Sequence, residues 1–285
     1  MKVLITGSSG YIGSRLVSYL SFKGHDPVCY DYTDRRNILD KFDLMDTSYD
    51  VDCIVHLAGV VGIGAVSNNS ESESINIQGT KNVIDTGKRV IFSSVLGKSA
   101  DRIVTEESDM IPTNEYFKQK IAAEYMVRKG KDNTVLRFGT LFGVSDKMRW
   151  DLLVHNLSFD IVNKGCIEIY DADSVRPITF INDAVSAIVK AVENPSSMAG
   201  IFNIVTENMS KKDIVDTLCR IVDKKREGTV KVEAVESREL EHRDYYASHI
   251  KMLKAGIFPW LNDTTSISSE FRKILCEARK EVYKD

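Results

Sequence analysis

The chain has 285 residues, with 38 Lys and Arg against 41 Asp and Glu, which gives a formal net charge of −3. This near-balance argues against a nucleic-acid-binding protein, which would carry a basic face or tail. No apolar run approaches the ~18 residues of a membrane span, and the first run ends at Gly7, which predicts no signal peptide. The five cysteines are widely spaced without a CxxC pair, which predicts reduced thiols, no metal site and a cytoplasmic protein.

The first half of the chain alternates β-rich runs with helical stretches. Strands are predicted over 2–6, 26–31, 53–57, 89–93 and 134–138, and helices over 11–23, 71–85 and 116–128. Short β-branched runs between helices are typical of parallel strands that are covered on both faces. The alternation therefore predicts a doubly wound α/β sheet.

The alternation ends after about residue 144. Helices are predicted over 149–163, 182–193, 211–225 and 268–283, with short strands over 166–170, 202–205 and 229–234. This pattern predicts a smaller α+β part that packs against the sheet.

A glycine-rich turn, TGSSGYIG (6–13), joins the first strand to the first helix. Gly7 permits the tight turn, Gly10 lets a pyrophosphate approach the backbone, and Gly13 lets the helix pack close to the sheet. Backbone N–H groups and the helix dipole would hold the phosphates. The spacing is GxxGxxG and not GxGxxG, so a turn without a ligand is the alternative. The strand before it and the helix after it favour the dinucleotide.

Asp31 ends the second predicted strand, where a carboxylate can bind the ribose hydroxyls of NAD and repel the 2′-phosphate of NADP. A helix cap or turn former is the alternative role, and Arg35 and Arg36 could instead accept a 2′-phosphate. The sequence therefore favours NAD and leaves NADP possible. Asp43 and Leu44 are predicted to lie beside the adenine.

Tyr116 and Lys120 are four residues apart in a predicted helix and so share one face. A nearby ammonium lowers the pKa of a phenol from about 10, so Tyr116 could exchange a proton with a sugar hydroxyl. Lys120 could also bind the nicotinamide ribose. A solvated Tyr/Lys pair is the alternative. Ser93 and Ser94 end a strand at the ligand edge of the sheet, where a hydroxyl could orient the substrate oxygen or simply turn the chain.

Together these motifs resemble the extended short-chain dehydrogenase/reductase family, and within it the nucleotide-sugar epimerases, dehydratases and reductases. The resemblance extends over nearly the whole chain through HLAG (56–59), Asn76, 79–80, FSS (92–94), RFGTLFG (137–143), 149–154, 176–177, 181–183 and 242–245. It implies a Rossmann-like NAD-binding domain over 1–148 and 178–205. A sugar-nucleotide substrate domain would take 149–177 and 206–285.

The resemblance also implies site residues. The catalytic set is Ser94, Tyr116 and Lys120. The cofactor set adds, to the three glycines and Asp31, the residues Ser9, Tyr11, Ile12, Asp43, Leu44, Leu57, Ala58, Gly59, Tyr116, Lys120 and Phe138. The substrate set is Ser94, Tyr116, Arg149, Arg176 and Arg243. Arg176 matches an arginine that grips the nucleotide diphosphate, a task suited to guanidinium, and a surface ion pair is its alternative role. His56 is expected to pack and Asp183 to be structural.

The segment after Ser94 departs from the family pattern, which leaves open whether Ser93 or Ser94 is the catalytic hydroxyl. Val95 and Leu96 follow it, where the family's dehydratases and decarboxylases carry acidic residues, so both reactions are disfavoured. The leading hypothesis is an NAD-dependent nucleotide-sugar epimerase. A 4-keto-sugar reductase or dehydrogenase with exchangeable NAD(P)H uses the same side chains. A non-catalytic dinucleotide-binding regulator would not need them. By analogy, a homodimer through 71–85 and 116–128 is expected.

Overall fold

A computed structural model describes residues 1–224, 230–234, 244–261 and 263–284. The strands, in chain order, are β1 (Lys2–Thr6), β2 (Asp26–Tyr30), β3 (Cys53–His56), β4 (Arg89–Val95), β5 (Ile103–Val104), β6 (Thr134–Phe138), β7 (Thr140–Phe142), β8 (Cys166–Ile169), β9 (Val175–Phe180), β10 (Gly200–Ile204), β11 (Glu207–Ser210), β12 (Lys231–Ala234) and β13 (Tyr246–Ala247). The helices are α1 (Tyr11–Phe22), α2 (Lys41–Thr47), α3 (Ile63–Ser67), α4 (Gly79–Asp85), α5 (Glu115–Val127), α6 (Leu153–Lys164), α7 (Ile181–Glu193), α8 (Lys211–Lys224), α9 (Ile250–Lys254) and α10 (Thr264–Val282).

Six parallel strands form the central sheet, in the order β10-β6-β4-β3-β1-β2. The strand order reverses at β1, because β2 pairs on one side of it and β3 on the other. At such a switch point the two crossover connections diverge and leave a crevice at the carboxyl ends of the strands, where ligands of open α/β sheets bind.

Helices cover both faces of this sheet. On one face, Ile5, Val55 and Ile91 pack with Leu16 of α1 and Ala187 of α7. On the other, Leu4, Ile54 and Phe92 pack with Val83 of α4 and Ala123 of α5. Because both faces are buried, the strands are apolar throughout rather than alternating. The predicted doubly wound, Rossmann-like sheet is confirmed.

The second part has its own core. A three-stranded sheet, in the order β11-β9-β7, packs its Phe142 and Ile178 against helices α6, α8 and α10. The short parallel pair of β8 with β12 adds Ile167 to this core, whereas the pair of β5 with β13 packs in a separate small cluster with Leu96 and Val205. None of the helices in the described ranges is both long and apolar enough to cross a bilayer.

The helix predicted over 71–85 contains an irregularity. Residues Ser74–Gln78 form one wide turn with i→i+5 bonding, and the regular helix α4 begins only at Gly79. Such wide turns occur often at functional sites. Here the turn carries Asn76, whose side chain donates to the carbonyl of Val60 at 3.0 Å and accepts from its N–H at 2.8 Å. The loop after β3 is thereby tied to this helix.

The close contact of Gly13 with the turn before it generates a prediction. A Cβ at Gly13 would lie 2.1 Å from the carbonyl oxygen of Gly7, a backbone atom that cannot move aside. Gly13→Ala should therefore lower the free energy of unfolding by about 1–3 kcal/mol or more. Urea denaturation measures this, with Gly64→Ala in α3 as the control, since no described atom lies within 4 Å of a Cβ added there. Equal unfolding midpoints for the two variants would contradict the packing argument.

Candidate active site

A cleft of about 1010 Å³ opens at the carboxyl edge of the sheet, between the two parts of the chain. Its walls come from the glycine turn, the ends of β3 and β4, the start of α5, and the segment that leads into α6. Most predicted cofactor residues line it, namely Gly7, Gly10, Tyr11, Ile12, Gly13, Asp31, Leu57, Ala58, Gly59 and Phe138. Ser9 is not among the lining residues, but its backbone N–H donates to Asp31 Oδ2 at 2.9 Å.

The glycine turn has the shape of a dinucleotide cradle. Gly7 has a φ of +77°, and a Cβ there would lie 2.6 Å from the backbone nitrogen of Ala58. Helix α1 begins after Gly10 without a side-chain cap from the described residues. Its first turn, Gly10 to Gly13, lines the cleft, and an uncapped helix N-terminus attracts a phosphate. These features fit the pyrophosphate of a dinucleotide.

Asp31 lies at the edge of this cradle as predicted. Its carboxylate accepts hydrogen bonds from the N–H groups of Ser9 at 2.9 Å and Thr33 at 3.1 Å. Arg36, the candidate partner for a 2′-phosphate, forms an ion pair with Asp43. A negative charge at the ribose position and a neutralised arginine beside it both favour NAD over NADP.

The predicted adenine contacts are not where the sequence placed them. Leu44 is fully buried among Leu4, Tyr30 and Ile54 in the core, so it does not reach the cleft. Asp43 is held by Arg36. The wall beside the cradle is formed instead by the segment before α2, from Asn37 and Ile38. The sequence of this loop has no periodicity, so it did not indicate which of its residues face the cleft.

Helix α5 delivers Tyr116 to the cleft. The Asn114 side chain accepts from the N–H of Phe117 at 3.0 Å, so it caps the helix and sets Tyr116 in its first turn. Lys120, one turn later, is buried, and its ammonium lies 4.1 Å above the ring of Phe92. The geometry thus brings the predicted tyrosine and lysine to one helix face beside the end of β4.

Burial dominates the protonation of this pair. It raises the pKa of Tyr116 to about 12, while the nearby Arg149 acts to lower that pKa and Asp151 to raise it. Burial also lowers the pKa of Lys120 to about 7, against the opposing charge of Glu124. In this state the phenol keeps its proton, and its ionisation depends on the cations around it.

Ser94 does not have the predicted orientation. Its hydroxyl donates to Glu124 Oε2 at 2.7 Å, and both side chains are buried. Arg137 of β6 holds the same carboxylate, with Nη2 at 2.7 Å and Nε at 3.1 Å from Oε1. No hydrogen bond among the described residues joins Ser94 to Tyr116. Ser94 and its alternative Ser93 both line the cleft, so the catalytic hydroxyl stays a prediction, while Ser94 also belongs to a buried network that fixes α5 to the sheet.

His56 fits its predicted packing role. The Thr80 hydroxyl uses its proton to donate to the Asn76 carbonyl, so it can only accept from His56. The proton of the imidazole is therefore assigned to Nε2, which donates to Thr80 Oγ1 at 3.0 Å. Nδ1 then accepts from Thr6 at 2.7 Å. Burial lowers the pKa of His56 to about 3, which keeps the ring neutral.

The substrate side of the cleft carries the predicted arginines. Arg149 lines it and pairs with Asp151, and Arg176 lines it from β9 with only 6% of its surface exposed. Arg243 lies outside the described residues. Sequence reasoning missed Lys211 and Tyr170, which also line the cleft, the lysine ammonium lying 3.8 Å from the centroid of the tyrosine ring. The sequence pointed to them only by their positions, since Tyr170 follows strand β8 and Lys211 begins helix α8.

Two residues tie the cofactor turn to the substrate side. The Tyr11 hydroxyl donates to the carbonyl of Gly143 at 2.7 Å, and Ser145 Oγ donates to the carbonyl of Tyr11 at 2.7 Å. His155 holds the same loop, since its Nε2 accepts from the Gly143 N–H at 3.1 Å and its Nδ1 bonds the Arg149 carbonyl at 2.8 Å. The loop that presents Arg149 is therefore anchored at both ends.

Comparison with known proteins decides the family. The model of the NAD-dependent epimerase/dehydratase family matches residues 3–204. The chain belongs to this family. It is thus an NAD-dependent enzyme of the extended short-chain dehydrogenase/reductase type, which agrees with the cradle and the Tyr116–Lys120 pair.

The names of several similar proteins refer to nucleotide sugars. The uncharacterized UDP-glucose epimerase YtcB of Bacillus subtilis is 25% identical over 244 residues, which cover 72% of this chain and 76% of YtcB. The structure of MoeE5 in complex with UDP-glucose and NAD is 22% identical, with a TM-score of 0.82 over 99% of this chain and 100% of that one. The Thermus thermophilus UDP-glucose 4-epimerase in complex with NAD is 19% identical, with a TM-score of 0.81 over 98% and 99%.

The buried network around Glu124 generates a stability prediction. In Glu124→Gln the guanidinium of Arg137 stays buried without its carboxylate, which should lower the free energy of unfolding by about 3–5 kcal/mol. Urea denaturation at pH 7 measures the change. Lys118→Ala is the matched control on the same helix, because the exposed pair of Lys118 with Glu115 contributes less than about 1 kcal/mol. A loss in Glu124→Gln as small as that of the control would show that the pair does not hold α5.

Proposed function

We propose that the protein is an NAD-dependent nucleotide-sugar epimerase that works through a transient keto sugar. The observation that carries this proposal is the meeting of three elements in one cleft. The dinucleotide cradle, Tyr116 and the arginines Arg149 and Arg176 all border the same space, and Lys120 lies buried one helical turn behind Tyr116. A dinucleotide-binding regulator would need only the first of these elements.

The end of β4 argues against elimination chemistry. Val95 and Leu96 follow the last serine, and both line the cleft. Neither side chain can donate or accept a proton, whereas loss of water from the sugar requires an additional acid or base near the reacting carbons. A reaction that needs one acid/base group is therefore favoured over dehydration or decarboxylation.

Tyr116 supplies that group. As the phenolate, it takes the proton of a sugar hydroxyl while the carbon that bears the hydroxyl is oxidised, and it returns the proton when the carbonyl is reduced. NAD, when bound, supplies the reversible two-electron oxidant that this cycle requires. Arg149 favours the phenolate through its charge, and a protonated Lys120, one helical turn from Tyr116, would act in the same direction. The keto sugar must turn over within the cleft before the proton is returned.

The cations at the other end of the cleft suit a nucleoside diphosphate. Arg176 is buried and can offer two parallel donors to phosphate oxygens. Lys211 lies beyond it on the neighbouring segment, since β9 and β11 pair with Met209 opposite Arg176. With the diphosphate held there, the sugar extends toward Tyr116. UDP-glucose, the ligand of MoeE5, is the reasonable first probe.

Tyr116→Phe should abolish turnover and spare cofactor binding. Loss of the acid/base hydroxyl should lower turnover of UDP-glucose with NAD by at least about 10²-fold, measured by separating the epimeric products. NAD affinity, measured by calorimetry, should stay close to the wild-type value. Tyr125→Phe is the control, since this exposed tyrosine lies on the same helix away from the cleft. Turnover retained in Tyr116→Phe would reject the mechanism.

Cofactor retention separates an epimerase from a reductase. An epimerase regenerates its cofactor in each cycle, so the purified protein should release stoichiometric NAD on denaturation, as detected by mass spectrometry. Protein that carries no nucleotide but binds added NADH or NADPH would instead indicate a keto-sugar reductase or dehydrogenase. Binding of no dinucleotide at all would reject both functions.

A further inference from the structure

An ion pair lines the cleft on the segment that leads into α6. Arg149 donates two side-by-side hydrogen bonds to Asp151, from Nε to Oδ1 at 3.1 Å and from Nη2 to Oδ2. Both residues border the cleft. A guanidinium holds the carboxylate of a ligand through two parallel donors of this kind. Asp151 therefore occupies donors of Arg149 that an acidic substrate would use.

The ion pair lies against the loop that follows β3. A Cβ at Gly62 would lie 3.4 Å from Arg149 Nη2 and 3.5 Å from Asp151 Oδ2, so the pair packs on this part of the loop. The loop is held by Asn76, whose side chain also donates to Oε1 of Gln119 in α5 at 2.7 Å. One loop thus connects the ion pair with the helix that carries the phenol.

The pair also lies within electrostatic range of Tyr116. Burial raises the pKa of Tyr116 to about 12, and after burial the charge of Arg149 acts to lower this pKa and that of Asp151 to raise it. Under the proposed function Tyr116 bonds the reacting hydroxyl, so the ion pair borders the sugar and not the nucleotide. Lys120 is buried and is not among the lining residues, so it does not offer the sugar a second cation.

The two charges of the pair compensate each other at neutral pH. Burial acts to raise the pKa of Asp151, but the hydrogen bond and the charge of Arg149 outweigh burial and hold this pKa below its ordinary value. A carboxylate on the sugar would meet Asp151 as a like charge and would compete with it for the guanidinium, which disfavours binding. A hydroxyl carries no charge and can use other N–H donors of the guanidinium.

We propose that the sugar of the substrate carries no carboxylate, and that Asp151 selects against acidic sugars because its own carboxylate already occupies Arg149. The proposal rests on the proposed function of this cleft and narrows its substrate to nucleotide sugars that are neutral beyond the diphosphate. Asp151 is then a specificity-determining residue, which acts by competing with the rejected ligand.

UDP-glucose and UDP-glucuronate are the matched probes, since they differ only by a hydroxymethyl group or a carboxylate on the sugar ring. Calorimetry on the NAD-loaded full chain gives a dissociation constant for each, and the ratio of the two constants is the readout. The wild type should bind UDP-glucose more tightly. Asp151→Asn, which keeps the shape and removes the charge, should shift the ratio toward UDP-glucuronate by about tenfold, the effect of one charge-assisted hydrogen bond.

Two further variants identify the cause of that shift. Asp146→Asn removes the same charge from an exposed residue of the same segment that does not line the cleft, so it should leave the ratio unchanged. When Arg149→Gln is combined with Asp151→Asn, the gain should disappear, because the released guanidinium is gone.

A wild type that prefers UDP-glucuronate would overturn the proposal. An Asp151→Asn ratio equal to that of Asp146→Asn, or a gain that persists in the double variant, would also overturn it. In each of these cases one nucleotide sugar still binds, so the proposed function is left intact. Binding of neither probe would reject the proposed function, and this proposal with it.

Discussion

The buried ion pair between Glu124 and Arg137 is the constraint on which the site depends. Both side chains are almost fully shielded from water, and the carboxylate also accepts from Ser94. The three residues belong to α5, β6 and β4, so one charged group fixes a helix against two strands. Tyr116, Lys120 and Glu124 follow one another at four-residue spacing on that helix. The position of the phenol is therefore set by a contact two helical turns away from it.

Burying two charges costs desolvation free energy, and removing one partner of a buried pair destabilises the fold further, because it leaves an unpaired charge. Here the pair fixes positions: it holds the ends of β4 and β6 and the start of α5 in one arrangement next to the cofactor cradle, as precise placement of reacting groups requires. The same burial that provides rigidity works against the chemistry, since it raises the pKa of Tyr116 and lowers that of Lys120. Arg149, which approaches from the other part of the chain, opposes the rise in the pKa of Tyr116, and Asp151 acts against Arg149.

The sequence predicted the elements whose pattern is local. The strands β1, β3 and β6 and the helix α7 match their predicted ranges within a residue, because their apolar runs are bounded by turns or caps. Strand β9 was not predicted, although it is central in its sheet, since Arg176 and Pro177 interrupt its apolar run and proline argues against a central strand. The helix predicted from 149 begins only at Leu153, because Arg149 instead pairs with Asp151 in the loop before it.

The site residues divide in the same way, into those that a local sequence pattern identifies and those whose position depends on tertiary contacts. The glycine cradle and the Tyr116–Lys120 spacing are written in consecutive residues, so they could be recognised without coordinates. The orientation of Ser94 could not, because a shift of one residue along a strand reverses the face and only the contact with Glu124 decides it. Leu44 was misplaced for a related reason, since its burial under the sheet depends on how the short helix α2 packs, which its local sequence does not encode.

The link between Tyr11 and Gly143 joins the two ends of the cleft. The residue that opens α1, in the glycine turn, donates to the same loop that His155 holds for Arg149. A ligand that shifted this loop at one end would therefore change its shape at the other end. Under the proposed function, any such effect of the nucleotide sugar on the affinity for the dinucleotide would equal the reverse effect, because coupling between two binding sites is reciprocal in free energy.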